Sequence, residues 1–168
     1  MPTVVGAKKQ VSINSHALKS HDIDETVEMV GLHLWPHRMQ VAKAQRTVNS
    51  QILGHILGDF SVLDLAYGAE VKIRPDEAPD FYLVHIPVSG YTELHYGKVK
   101  SSSTPDTIAI SSPSALSYVY MDENSRHLNI RFDRVTLEDH LRSLIGHEIY
   151  APLVFEIETP SQSTAGAA

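Results

Sequence analysis

The sequence predicts a mainly β fold, an all-β sandwich or barrel with one helix before it and one near its C-terminal end. Three observations carry this. Between Gln51 and Phe132 short apolar runs are punctuated by Gly, Pro, Ser and Asp, the spacing of successive strands and turns. Two stretches, one on each side, instead follow helical periodicity. The chain has 168 residues, 42% hydrophobic and 20% charged, which is globular composition and enough for one core.

Residues 1–19 are polar and aperiodic and are read as a mobile arm. In "DIDETVEMVGLHLWP", Asp22 and Glu25 have capping-box spacing and Ile23, Val27, Val30 and Leu34 form one stripe, so a helix is predicted up to Pro36. About eight strands follow, near 51–57, 60–67, 70–74, 81–88, 91–96, 107–111, 115–121 and 126–133, with further pairing near 98–101. "VTLEDHLRSLIG" is the second helix: Thr136 is placed to cap it, Gly146 to end it, and Leu137, Leu141, Leu144 and Ile145 form a stripe assigned to the core. "PLVFEIE" reads as a closing strand, and "TPSQSTAGAA" has linker composition.

Composition excludes several functions. There is no cysteine, hence no disulfide, thiolate zinc site or cysteine nucleophile. The N-terminus lacks the apolar core of a signal peptide and no apolar run approaches the roughly 20 residues that span a bilayer, so a cytosolic protein is the simplest expectation. A net charge of −6 gives no footprint for a phosphate backbone, so DNA binding by this segment alone is not expected.

"DFYLVHIPVSGYTELHYG" places a histidine on each of two strands. Read as a hairpin turning at Ser89 and Gly90, it pairs His85 with Leu94 and Val84 with His95, which sends His85 and His95 to opposite faces. Two such histidines do not share one metal. No His-x-His occurs, and the i, i+4 pair His33 and His37 is interrupted by Pro36; no metal site and no cofactor are predicted. Nor is there a nucleotide-binding glycine motif, a nucleophile elbow or a zincin motif.

"LAYGAEVKIRPDEAPDFYLVHIPVSGYTELHYG" resembles the N-terminal sensor of AraC/XylS-type transcriptional regulators, in the subgroup with the AraC-binding-like domain. The shared features are a "YG-x-x-V-x-I" strand, then "[DF]-[FY]-x-[LV]-x-x-P-x-[SA]-G", then a strand ending in Gly. "SHDIDET", "PHRM", "AISSPSALSYVYMDENSRHLNIRFDRVTLEDHLRSLIG" and "APLVFE" extend the resemblance over about 20–157. It implies a cupin-like (double-stranded β-helix, jelly-roll) barrel over 20–157 that binds a small-molecule effector. Residues 158–168 would then begin a linker to a helix-turn-helix domain absent from this chain, through which alone DNA would be contacted. No membrane partner is implied, and pairing of two copies is left open for the full-length protein and undecided for this chain.

The strands point to binding on their own account, because a small barrel encloses a mostly apolar pocket with a few placed polar groups. In "RHLNIRF", His127, Asn129 and Arg131 share one face; Leu116, Tyr118 and Tyr120 share another, and Leu83 and His85 share one with Leu94 and Tyr96. If these mixed faces point inward, His85, Tyr96, Tyr118 and Arg131 are the candidate ligand contacts, Arg131 gripping a carboxylate. If the apolar faces point inward instead, these residues are wet or satisfied in the core, and Trp35 is read as core. The expectation is a non-enzymatic sensor; a metal-dependent cupin enzyme and an interaction module that senses nothing are the alternatives.

Overall fold

In the computed structural model, which describes residues 12–113 and 116–161, twelve strands form two antiparallel sheets facing each other. The first holds, in order, β1 (Ile13–Ser20), β3 (Ser50–Leu57), β4 (Phe60–Ala66), β11 (Arg126–Asp133), β6 (Phe81–Ser89), β9 (Thr107–Ser111) and β12 (Glu158–Pro160). The second holds β2 (His37–Val41), β5 (Val71–Pro75), β10 (Leu116–Met121), β7 (Thr92–Tyr96) and β8 (Val99–Ser103). Helix α1 (Ile23–His33) joins β1 to β2, and α2 (Arg134–Ile145) follows β11 directly. This is the mainly β, cupin-like barrel that the sequence predicts.

Alternation along the strands builds the core. Leu63 and Leu65 of β4, Leu83 of β6, Leu94 of β7, Val71 and Ile73 of β5, and Val119 and Met121 of β10 meet in one buried cluster. Asp22 caps α1 by accepting from the Glu25 amide at 2.9 Å, and Ser20 Oγ donates to the Glu25 carboxylate at 2.6 Å. Thr26 then fixes the helix to the sheet: its hydroxyl lies 2.7 Å from Ser50 Oγ, which donates to the Ser20 carbonyl. Val30, Leu34 and Trp35 thereby join the core from one side.

Several expectations are corrected. Residues 13–19, placed in the arm, form β1 together with Ser20, paired residue for residue with β3 from Ile13↔Leu57 to Ser20↔Ser50. Its polar, edge-strand composition hides it; residues 1–11 of the arm lie outside the described residues. The proposed 81–96 hairpin does not form: β6 pairs with β11 and β9, whereas β7 pairs with β10 and β8 in the other sheet. The chain turns a corner at Gly90, whose φ is 77° and where a Cβ would lie 2.4 Å from the Ser125 backbone nitrogen. Only glycine fits there, as part of a crossover and not of a hairpin turn.

The closing strand lies later than predicted. Residues 152–157 form no strand, and β12, at positions assigned to the linker, pairs Glu158 with Ala109 and Pro160 with Thr107. Residues 162–168 lie outside the described residues. Helix α2 is capped by Asp133, which accepts from the Thr136 amide at 2.9 Å, and not by Thr136 itself. Its leucine stripe is not core: Leu144 is 70% and Ile145 42% exposed, Leu137 and Leu141 are half-buried, and the buried residue is Glu138. Glu138 accepts from Tyr82 at 2.8 Å and from Arg134 at 3.2 Å, so a polar network anchors the helix where apolar packing was expected.

Candidate functional site

Inside the barrel, between the sheets and beneath α1, lies a cavity of about 30 Å³. Its floor is polar: His85 of β6 and His127 and Asn129 of β11 all point inward, so on these strands the mixed face lines the interior. The apolar remainder includes Val30 and Leu34 on the α1 side and Val119 and Met121 opposite. Trp35, His37 and Tyr67 complete the wall.

The two sheets are joined through this interior by hydrogen bonds. His127 Nε2 lies 2.7 Å from Thr92 Oγ1. His85 Nε2 lies 3.2 Å from Ser111 Oγ, which is also hydrogen-bonded to the hydroxyl of Tyr96. Burial pushes His85 down to about 3, with His127 adding to the effect and Asn129 opposing it. Burial likewise pushes His127 down to about 4, against the attraction of Asp122. Both rings are therefore neutral at neutral pH.

Three other groups differ from these. Trp35 Nε1, His37 Nε2 and Tyr67 Oη are buried and have no hydrogen-bond partner among the described residues, and all three residues line the cavity. Unsatisfied buried polar atoms are uncommon and costly, roughly 1–3 kcal/mol each. The tautomer of His37 follows from its surroundings. Its Nδ1 lies 2.8 Å from the Trp35 carbonyl, which can only accept; Nδ1 therefore carries the proton and Nε2 presents a lone pair. The wall thus offers a donor at Trp35, an acceptor at His37 and a group capable of either role at Tyr67.

Of the four residues singled out in the sequence, His85 lines the cavity and Tyr96 reaches its edge through Ser111. Tyr118 does not: it stacks on His95, ring centroids 3.9 Å apart, beneath Lys72 Nζ at 3.7 Å, on the outer face of the second sheet. A register shift in β10 between Leu116 and Tyr118 breaks the alternation, leaving Leu116, Val119 and Met121 buried. Ala115, grouped with that strand, lies outside the described residues.

Arg131 faces inward but lies outside the cavity. Its guanidinium carbon sits 4.7 Å above the Phe81 ring, and Phe81 packs on Trp35 at 5.4 Å. It opens instead onto a separate cleft of about 230 Å³ shared with His33, Asp59 and Asp133. His85 and His95 lie in different sheets, so they are separated for a different reason than the expected register. Among the described residues no group of three or more His, Asp or Glu is arranged to hold a metal.

A family model for the AraC-binding-like domain matches residues 27–168. The chain belongs to that family. A curated relative, the probable thc operon regulatory protein of Rhodococcus erythropolis, is 27% identical over 150 residues, 88% of this chain and 45% of its own. Among solved structures, the AraC-like transcriptional activator CuxR superposes with a TM-score of 0.56 at 12% identity, over 79% of this chain and 53% of its own. That likeness concerns the fold. The chain spans about half the length of the relatives it matches. This AraC-binding-like domain is therefore a regulatory type of domain, and among its described residues no helix is long and apolar enough to cross a membrane.

Proposed function

We propose that this domain senses a small molecule inside its barrel and relays the event to a DNA-binding segment outside this chain, without catalysing a reaction. The observation that carries the proposal is the set of three unpartnered polar atoms, Trp35 Nε1, His37 Nε2 and Tyr67 Oη, around one cavity. Most buried polar groups are hydrogen-bonded, and His33 and Arg131 also carry unpartnered buried nitrogens, but only these three atoms belong to residues around one apolar cavity, as in a site that a ligand completes.

The cavity's size shapes the mechanism. At about 30 Å³ it has room for water but lies well below the ~300–1,000 Å³ of an ordinary ligand pocket. A ligand must therefore enlarge it. The wall that lies outside the strand ladders is the one made by α1 and Trp35, held by Thr26 on Ser50, by Ser61 on the His33 carbonyl and by Val30 and Leu34. A ligand that binds the widened form better shifts the population toward it, and the accompanying shift of α1 is the signal. Coupling of about 1–3 kcal/mol suffices for regulation of this kind.

The small volume also supports a second reading, in which the barrel is a filled scaffold that transmits protein contacts and takes no ligand. Thermal melting against a panel of aromatic acids, sugars, amides and amines separates the two. A true effector at 100 times its Kd adds about 2.7 kcal/mol of stability. A panel that leaves Tm unmoved favours the scaffold.

A further inference from the structure

The chemistry of the cavity wall goes beyond saying that something binds; it restricts what binds, given the sensing role just proposed. Among the described residues no Asp, Glu, Lys or Arg lines the cavity. Arg131, on the same face of β11 as His127 and Asn129, does not line it: its guanidinium sits over Phe81 and opens onto the other cleft, with Nε buried and unpartnered there. A carboxylate, phosphate or ammonium placed in the cavity would be buried without a counter-charge, a cost that a few neutral hydrogen bonds do not offset. The three imidazoles of the wall do not change this, because burial holds His37, His85 and His127 in the neutral form.

The free hydrogen-bonding atoms define the polar end of the ligand. Trp35 Nε1 only donates, His37 Nε2 accepts in the tautomer fixed by the Trp35 carbonyl, and Tyr67 Oη does either. A carboxylate has no proton to give His37, and an ammonium has no lone pair for Trp35. A primary amide or an alcohol has both. Val30, Leu34, Val119 and Met121 provide an apolar seat for the remaining part of the molecule. We infer that the barrel's effector is a small uncharged molecule with an apolar body and one polar end that both donates and accepts, of the amide or alcohol class.

The test is a thermal-shift screen of the full chain with matched sets on the same carbon frames: benzamide, benzyl alcohol, benzoate and benzylamine; hexanamide, hexanol, hexanoate and hexylamine. Each is repeated on Tyr67→Phe, an isosteric change that removes only the free hydroxyl, and on Trp35→Phe. The expected result is stabilisation by amides or alcohols alone, with affinity falling roughly tenfold in Tyr67→Phe for the loss of one hydrogen bond. Where Trp35→Phe does not fold, the Tyr67→Phe comparison decides by itself. Stabilisation by a carboxylate or amine that is weakened in Tyr67→Phe overturns the uncharged class and leaves the sensing role standing. Stabilisation indifferent to Tyr67→Phe overturns the assignment to this wall. A screen in which no amide or alcohol moves Tm overturns the ligand class, and the sensing role then stands or falls on the broader panel.

Discussion

Removing the hydroxyl of Tyr67 should stabilise the free protein. The oxygen is fully buried without a partner, and burial pushes its phenol up, so Tyr67→Phe relieves a desolvation cost and raises stability by about 1 kcal/mol in urea unfolding. A site kept for ligand predicts this sign; a satisfied core tyrosine predicts the reverse. His85 and His127 give a second residue-level expectation. Unfolded, each takes a proton near 6.5, but folded only near 3 and 4. Stability is therefore full above about pH 6.5 and falls as the pH drops toward the folded values, by about 2 kcal/mol for each ring at pH 5. Urea midpoints at pH 7 and pH 5 check this, and His127→Gln should remove about half of the difference. The inward placement of His85 was legible in the sequence because alternation on β6 and β11 held. Trp35, His37 and Tyr67 were not, because what singles them out is a missing partner, and partners are set by the tertiary arrangement. Its place just after the first helix makes Trp35 look like core, which it is, and only its indole nitrogen reveals more.

At the scale of elements, α1 rests on β3 through a fit that depends on Gly54. A Cβ there would lie 2.3 Å from the ring of His33, so Gly54→Ala should cost roughly 1–3 kcal/mol by overpacking. His33→Ala in the same chain should recover part of that loss, and a double-mutant cycle reads the coupling. Helix α2 behaves differently. Leu144→Ser should change stability by less than about 0.5 kcal/mol, whereas Leu83→Ala in the core should cost about 2–5 kcal/mol. The helix was legible from its periodicity, but periodicity shows only that one face is apolar and not what lies against it. Similarly, the strands around Gly90 were legible and their pairing was not. A Ser-Gly pair reads as a tight turn until Ser125 is known to pack against it. β1 escaped notice because an exposed edge strand has little apolar alternation to show.

For the whole molecule, the two sheets, α1 and the polar interior form one mechanical argument. Thr92 to His127 and Tyr96 to Ser111 join the sheets, while α1 lies outside the strand ladders and is held by Thr26 on Ser50, by Ser61 on the His33 carbonyl and by apolar side chains. In the sensing role proposed above, the α1 side is the one a ligand displaces, so occupancy is transmitted as a change in α1. Trp35, the sole tryptophan of the chain, lies at that boundary, on the cavity and against Phe81. Its fluorescence therefore reports the claimed event directly. Titrating the intact chain with the compound that most raises Tm should give a saturable change in Trp35 emission, with the same Kd as the thermal shift. A compound that raises Tm while leaving Trp35 emission unchanged would contradict binding inside the barrel.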